Sequence, residues 1–552
     1  MRSITRSIWF WCLLGALFFI PFLGGLHLFD WDEINFAEIA REMVVSGDWL
    51  KMQINYEVFT EKPPLFFWLQ AASMSIFGVG DFAARLPNAI LGAIVLPYLF
   101  WLGKKLLDAR FGFLWALSWF GSILPFIYFK SGLIDPLFNF FIFNGIFFLI
   151  LAHWKEGGIR SSFRISKLSA LLLGGAFIGL GILTKGPVAY LLVFLTFGVM
   201  TVIGRFSFPV KVINFIKFSL SALGVFTLWF AVDLIIRGPE FIIEFTIRQW
   251  ELLTTGDAGH SGFLGYHVVV LLFGCFPASL FAIPSLRHLM GLQPHIASMR
   301  TWMSVLFWVV LILFSLVGTK IIHYSSMAYY PLTFLSALTL WQWLEKKRTV
   351  KFSSSAALIV GVLVILISAA LPYIGMHPEM ITPLLQADPF AAANMEAEVP
   401  WSGWDFIPAI WMLVILAGFW YFKKRSREKS LGILFGGTGI WVMLGLIFFS
   451  GKIERISQRA SVSFFEEQQG QKVYVTTFGY KSYVPWYYSR IEPHQNDSAI
   501  YKSWLLHGHN DLPVKIAVKV TKVEQFEKEV PDAVLLYEEN GFYFYERPAF
   551  SK

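Results

Sequence analysis

The chain has 552 residues, of which 56% are hydrophobic and only 15% are charged, and it contains 57 phenylalanines and 22 tryptophans. Soluble proteins carry more charge, so this composition excludes a soluble protein and indicates a polytopic membrane protein. The net charge of +8 does not predict a nucleic-acid partner, because the basic residues fall in loops beside apolar segments. Cys12 and Cys275 both lie in apolar segments and offer neither a disulfide framework nor a cysteine metal cluster.

Apolar segments of about 20 residues, the length that crosses a bilayer core, recur through most of the chain. They predict a mainly α-helical protein with about thirteen transmembrane helices. The segments are 8–28, 84–103, 111–129, 132–153, 168–183, 186–203, 212–236, 266–286, 301–318, 323–343, 354–374, 406–422 and 430–450. The first lacks a small-residue cleavage site and is interpreted as an anchor rather than a signal peptide.

Loops rich in Lys and Arg alternate with loops poor in them. By the positive-inside rule the rich set is cytoplasmic, so the N-terminus lies inside and the C-terminus outside. Residues 1–450 are predicted to form the transmembrane domain, with a first outer loop at 29–83. Residues 451–552 are predicted to form a small α/β domain on the outer side, because strand-like segments and a hairpin turn at Asn540-Gly541 replace the apolar runs.

The first outer loop contains two predicted helices. From 33 to 45, apolar residues recur with helical spacing opposite charged residues such as Glu38 and Arg41, which predicts an amphipathic helix. Pro63-Pro64 precedes an aromatic run, and proline favours the first turn of a helix. A second helix, lying in the membrane interface, is therefore predicted to begin there.

Polar residues from five separate places in the sequence fall on the predicted outer face. These places are the 29–83 loop, Lys130 to Asp135, Thr184-Lys185-Gly186, the 237–265 loop and Lys320 to Tyr324. Charged groups beside a bilayer are costly to keep and usually bind charge or do chemistry. The sequence therefore predicts one active site on this face.

Lys62 and Lys185 each stand shortly before a proline that opens a helix. A helix N-terminus presents free N–H groups and a partial positive charge, so a lysine beside it makes a phosphate site. The alternative is that both lysines are interfacial anchors whose ammonium groups reach water. The Glu61-Lys62-Pro63-Pro64 context favours phosphate binding for Lys62.

Asp32 and Asp135 are acids at or beside the outer ends of predicted spans. A carboxylate there can act as a base, orient an acceptor or stabilise a cationic sugar transition state. The alternative for Asp32 is capping of the helix that starts at Glu33, and the alternative for Asp135 is pairing with Lys130. Glu33 and Asp30 are predicted to be solvated loop charges.

Glu61 and His260 are candidate oxygen and nitrogen ligands of a divalent cation, although a lone loop histidine is more often not a ligand. His267 and His323 are alternatives for that role. The segment Lys320 to Tyr324 brings lysine, histidine and tyrosine to the outer surface. Its side chains can hydrogen bond a phosphate or belong to an aromatic interface belt.

The first outer loop resembles that of the bacterial aminoarabinose transferases. The residues that carry the resemblance are Asp32-Glu33-x-x-Phe36-Ala37-Glu38-Ile39-Ala40-Arg41-Glu42-Met43 and Glu61-Lys62-Pro63-Pro64-Leu65. Asp135, Thr184-Lys185-Gly186-Pro187, a loop histidine and Lys320 to Tyr324 also match. The aminoarabinose transferases belong to the polyprenyl-phosphate-dependent, GT-C-type glycosyltransferases, which include the protein mannosyltransferases.

This resemblance implies a membrane glycosyltransferase on the periplasmic face of the bacterial inner membrane. Its donor would be a sugar on undecaprenyl phosphate, and its acceptor would be lipid A, another glycan or a protein. No organic cofactor is expected. The alternatives are a protein O-mannosyltransferase-like enzyme and, outside the enzymes, a lipid-linked sugar transporter or flippase, which more often has inverted repeats and polar residues at mid-membrane.

The resemblance also implies roles for individual residues. Lys62 would hold the donor phosphate, with Tyr324 placed nearby. Asp32 would lie at the reaction centre, with Asp135 close to it. Glu61 and His260 would hold a structural zinc ion. Lys185 and Lys320 join the predicted phosphate-binding set.

Overall fold

The computed structural model describes residues 7–254, 262–287 and 291–550. Eight helices in these ranges are long and apolar enough to cross a membrane. They are Asp81–Leu106, Asp135–Glu156, Lys167–Lys185, Val212–Arg237, Pro294–Leu316, Lys351–Met376, Gly403–Lys423 and Arg427–Ser457. A ninth crossing results if Tyr266–Gly274 and Ala278–Leu286, which bend by 115° at their junction, count as one span. The predicted mainly α-helical, polytopic fold is confirmed.

The predicted number of spans is not confirmed, because several predicted segments form short helices. Ile8–Phe19 and Ala109–Phe120 have 12 residues each, and Val188–Ile203 and Tyr329–Leu344 have 16. At about 1.5 Å per residue, even the longer pair rises only about 24 Å, less than a bilayer core of about 30 Å. Hydropathy does not reveal where Ile8–Phe19 and Ala109–Phe120 end, because the residues that follow these two helices are themselves apolar or small.

The remaining helices connect or cover the long ones. They are Asp32–Ser46, Leu65–Phe77, Ile123–Tyr128, Glu240–Thr254, Pro389–Asn394, Arg459–Glu466, Val484–Ser489, Lys502–His507 and Val523–Glu529. Short 3₁₀ helices lie at Ile322–Ala328, Pro378–Met380, Thr382–Leu385, Asp497–Ile500 and Val520–Lys522. Two π-helical turns, Gly432–Gly436 and Leu446–Ser450, lie within the last long helix. Both helices predicted in the 29–83 segment, called the first loop below, are therefore present.

Six strands are present in the described ranges. Strands β1 (Gln53–Ile54) and β2 (Glu57–Val58) form an antiparallel hairpin in the first loop. The other four are β3 (Tyr474–Phe478), β4 (Val514–Lys519), β5 (Val534–Glu539) and β6 (Phe542–Arg547), arranged in the order β3-β4-β6-β5. Strands β3 and β4 are parallel and the other neighbours antiparallel. Asn540 and Gly541 both have positive φ, as the predicted two-residue hairpin turn between β5 and β6 requires.

The C-terminal region that carries this sheet covers the helix Asp32–Ser46. Arg41, predicted on the charged face of that helix, is only 2% exposed and donates two hydrogen bonds to Glu38 (2.6 and 2.7 Å). A further guanidinium N–H of Arg41 donates to the carbonyl oxygen of Ile491 (2.9 Å). The charged face is thus buried, because a distant part of the chain supplies its partner.

Glu33 is buried as well, which corrects the prediction that it is a solvated loop charge. Its carboxylate accepts two hydrogen bonds from Arg85 (2.9 and 3.1 Å) and one each from the backbone N–H groups of Phe29 and Gly132. Arg85 also donates to three carbonyl oxygens in the 23–27 turn. Burial alone would raise the pKa of Glu33, but Arg85 and the two N–H donors outweigh it and hold the pKa below its ordinary value.

Asp30, the second acid predicted to be solvated, is half-buried against the C-terminal region. Its carboxylate accepts a hydrogen bond from the backbone N–H of Tyr483 (3.3 Å), and its own N–H donates to the side chain of Gln458 (3.2 Å). Burial raises the pKa of the Asp30 carboxyl group. The loop before the helix Asp32–Ser46 is therefore fixed from both sides.

We expect Glu33→Gln to destabilise the protein by about 3–5 kcal/mol, because it leaves the buried Arg85 without its counter-charge. The midpoint of thermal unfolding in detergent, followed by tryptophan fluorescence, measures the loss. Glu345→Gln is the matched control: its pair with Arg110 is one-third exposed, so that substitution should cost less than about 1 kcal/mol. Equal midpoints for the two variants would contradict a supporting role for Glu33.

Candidate active site

A cavity of about 530 Å³ lies where the helices that carry the predicted site residues meet. Its walls are largely apolar and include Phe138, Val188, Leu191, Leu192, Phe194 and Phe314. The polar residues that line it are Lys62, Asp135, Asn139, Lys185, Gln249 and Tyr324. Four residues predicted from the sequence, two lysines, an aspartate and a tyrosine, thus share one apolar chamber, which we call the donor cavity.

Lys62 lies two residues before Pro64, the N-cap of the helix Leu65–Phe77. Burial lowers the pKa of its ammonium group; the charge of Lys185 adds to this shift, and that of Asp32 opposes it. Lys62 therefore has cationic and anionic neighbours in the same space. An anion bound there would favour the charged form of Lys62, because it opposes both effects that lower the pKa: burial and repulsion by Lys185.

Lys185, the last residue of its helix, donates a hydrogen bond to Asp135 Oδ1 (2.7 Å). Asp135 begins the helix Asp135–Glu156 and is 3% exposed, and its Oδ2 has no hydrogen-bond partner in the described part of the chain. Lys130, the alternative partner of Asp135, instead donates to three carbonyl oxygens at and just after the end of the first helix. Lys185 therefore points into the site and is not an interfacial anchor.

Asp32 is the first residue of its helix, whose N-cap is Trp31 without a side-chain hydrogen bond, so Asp32 does not act as the cap. Its Oδ2 lies 3.6 Å from Nε2 of His323, a side chain that is 12% exposed. Burial lowers the pKa of His323. The four charged side chains that also act on this pKa are Asp135, Lys185, Asp32 and Lys62. His323 is thus at the centre of the predicted site.

Tyr324 and Lys320, the other two predicted phosphate-binding residues, lie in different places in the structure. Tyr324 lines the donor cavity, with Lys185 Nζ 5.6 Å from the centre of its ring. Lys320 instead donates to the carbonyl oxygens of residues 314, 315 and 317 at the end of the helix Pro294–Leu316. Its ammonium group stabilises that helix end and is not part of the cavity lining.

The predicted zinc ligands are only partly described. His260 lies outside the described residues. The Glu61 carboxylate lies 3.3 Å from Nη2 of Arg248, a partner that competes with a bound cation. Across residues 7–254, 262–287 and 291–550, no group of three or more His, Cys, Asp or Glu side chains is arranged to hold a metal. Structural zinc sites have about four ligands, and with His260 outside the described residues the zinc site stays a prediction.

Arg248 and Gln249 were not singled out from the sequence, although they lie in the 237–265 loop assigned to the active face. They stand on the helix Glu240–Thr254. Gln249 lines the donor cavity, and its side-chain amide lies 3.4 Å from the backbone oxygen of Glu61. The sequence contains a pattern that could have revealed these two residues: this loop has helical spacing, and one face of the helix carries charged and amide residues.

Comparison with known proteins gives consistent matches. Residues 8–242 match the family model of the dolichyl-phosphate-mannose-protein mannosyltransferases. The undecaprenyl phosphate-alpha-4-amino-4-deoxy-L-arabinose arabinosyl transferase of Aeromonas hydrophila is 25% identical over 441 residues, 78% of this chain and 75% of that protein. The protein of the same name from Yersinia enterocolitica is 26% identical over 355 residues, 63% of this chain and 62% of that protein.

Among solved structures, ArnT from Cupriavidus metallidurans bound to undecaprenyl phosphate is similar over 98% of both chains. The TM-score is 0.74 and the sequence identity is 17%. The chain therefore has the ArnT fold along almost its whole length. The family resemblance predicted from the first loop is confirmed.

The lowered pKa of Lys62 predicts how lipid-phosphate binding depends on pH. Affinity for undecaprenyl phosphate should fall as the pH rises through that pKa, because only the ammonium form attracts the phosphate. The fall should begin below about pH 10.4, the ordinary lysine pKa. In Lys62→Arg it should move to higher pH, since guanidinium stays charged. Titrations of each protein with the lipid at several pH values measure this, and identical profiles would contradict the assignment.

Proposed function

We propose that this chain, a membrane glycosyltransferase with the ArnT fold, transfers aminoarabinose from undecaprenyl phosphate to lipid A. The names of the relatives from Aeromonas and Yersinia support this sugar, this carrier lipid and this type of reaction. The reaction takes place on the periplasmic face of the bacterial inner membrane in this proposal.

The observation that carries the proposal is the shape and charge of the donor cavity. Its apolar walls suit an isoprenoid chain, and the ammonium groups of Lys62 and Lys185 suit the attached phosphate. Lys62 lies just before the helix Leu65–Phe77, whose first backbone N–H groups lack helical partners and favour a nearby anion. A soluble nucleotide-sugar donor would not need an apolar chamber of this kind.

In the transfer step the bond between the anomeric carbon of the sugar and the phosphate oxygen breaks. The bonding electron pair leaves with undecaprenyl phosphate, while an acceptor oxygen forms the new bond to the same carbon. Negative charge grows on the leaving phosphate, and Lys62 and Lys185 stabilise it. Asp135 holds Lys185 in place through its hydrogen bond, so the cation is oriented before the lipid binds.

Asp32 is positioned to act on the acceptor. An acceptor phosphate is already ionised and needs orientation, whereas a hydroxyl acceptor needs a base, and the Asp32 carboxylate can serve either need. His323 lies beside it, and burial, which lowers the pKa of this histidine, favours its neutral form. A neutral imidazole leaves the negative charge of Asp32 available to the reaction centre.

A protein acceptor is the second candidate. The match of residues 8–242 to the protein mannosyltransferase model favours it, since that match includes the first loop, Asp135 and Lys185. Mass spectrometry of lipid A and of envelope proteins, from cells with and without the gene, distinguishes the two acceptors.

We expect Lys62→Ala to lower the transfer rate by about 10²–10³-fold, the usual effect of losing one contact to developing charge. Asp32→Asn should lower it by about 10²–10⁴-fold if the carboxylate acts as a base. Release of undecaprenyl phosphate from the labelled donor by purified protein measures both. Lys51→Ala, in the same loop but outside the donor cavity, is the control and should keep full activity. Near-normal turnover of either site variant would defeat the assignment.

The orientation of the protein in the membrane can be tested separately. In a chain with Cys12→Ser and Cys275→Ser, Glu57→Cys in the exposed strand β2 should react with a membrane-impermeant maleimide added to the periplasmic side. Lys104→Cys, exposed in the last turn of the helix Asp81–Leu106, should react only after the membrane is opened, because the positive-inside rule places it in the cytoplasm. The opposite labelling pattern would place the active site in the cytoplasm.

A further inference from the structure

A second cavity of about 530 Å³ lies between the first loop and the C-terminal sheet. We call it the cleft. One wall is formed by residues 54–61, and the other by residues 475–486 and 500–505. Threonine, serine and lysine side chains give it a more polar lining than the donor cavity. None of the residues with a role in the proposed transfer step lines the cleft.

The cleft and the donor cavity meet at two consecutive residues. Glu61 lines the cleft, and Lys62 lines the donor cavity. At the same place Trp31, which precedes Asp32, packs its ring edge-on against Tyr483 of the cleft (5.1 Å between ring centres). A molecule in the cleft therefore contacts residues next to Asp32 and Lys62, the charges of the candidate active site.

Two lysines of the cleft have no carboxylate within ion-pair distance among the described residues. Lys481 Nζ lies 4.8 Å from the ring centre of Trp31 and 5.5 Å from that of Tyr483. Lys502 Nζ lies 5.9 Å from the ring centre of Phe478. Both lysine side chains are exposed, so their charges are available to a ligand.

Three carboxylates lie at or beside the cleft: Glu61 is paired with Arg248, Asp30 accepts the backbone N–H of Tyr483, and Glu57 is exposed on strand β2. In the described part of the chain none of them forms an ion pair with Lys481 or Lys502, whereas Lys515 in the same sheet is paired with Glu546 (2.6 Å). The cleft thus combines unpaired ammonium groups with aromatic rings, whose faces suit an amphipathic ligand with both flat apolar surfaces and charge.

We propose that the cleft binds the phosphorylated sugar head group of the acceptor, with Lys481 and Lys502 contacting its phosphate. This inference rests on the proposed function, because it requires an acceptor that approaches Asp32 while the donor lipid fills the other cavity. The C-terminal region then selects the acceptor, and the membrane region binds the donor. An acidic peptide is the competing occupant.

The test measures binding without turnover. Full-length protein in lipid nanodiscs is titrated with a phosphorylated glucosamine disaccharide and, separately, with the same disaccharide lacking phosphate. The variant Lys481→Ala/Lys502→Ala is compared with Lys472→Ala/Lys528→Ala, which removes two exposed lysines of the same region outside the cleft. Lys481→Arg/Lys502→Arg keeps the charge and is the rescue variant.

The wild type should bind the phosphorylated disaccharide at least about tenfold more tightly than the unphosphorylated one, the effect of one lost charge-assisted contact. The cleft variant should lose this preference, while the control and rescue variants keep it. Equal affinity for both sugars, no binding of either, unchanged binding by the cleft variant, or preference for an acidic peptide would each overturn the proposal. Release of undecaprenyl phosphate from the donor reports on the proposed function separately.

Discussion

The site depends on the buried pair of Glu33 and Arg85. Glu33 follows Asp32 in sequence and accepts the N–H of Gly132, so one carboxylate ties the start of the first-loop helix to the segment that leads into Asp135. Arg85 adds the turn after the first helix to the same network. Asp32 and Asp135, from distant parts of the sequence, are both held near His323 because the Glu33 carboxylate between their segments is fully hydrogen bonded.

Local sequence patterns were sufficient to find most of the residues that the structure brings together at the candidate site. Lys62 and Lys185 could be found because each is a charge beside a proline-opened apolar helix, and Asp32 and Asp135 because acids are costly beside a bilayer. Local patterns did not predict the burial of charged side chains whose hydrogen-bond partners are distant in sequence. Arg41 and Glu33 look solvated in their own segments, and only the folded chain brings the groups that bury them.

The same limit explains the remaining differences. The span count is not confirmed, because hydropathy does not detect where a helix stops within an apolar run. Lys320 is close in sequence to Tyr324, but its segment turns so that the ammonium group meets the end of the preceding helix instead of the cavity. His323 was predicted as an alternative metal ligand or as a phosphate contact, and the structure places it beside Asp32 instead.

The contact between Arg41 and the Ile491 carbonyl, 450 residues apart, has a consequence for biosynthesis. The ribosome synthesises the first loop long before residue 491. The charged face of the helix Asp32–Ser46 therefore lacks its C-terminal partner while all the intervening membrane helices are made. The site is completed only when the last tenth of the chain has folded onto it. A product terminated before residue 491 would therefore lack the backbone carbonyl that Arg41 contacts in the folded protein.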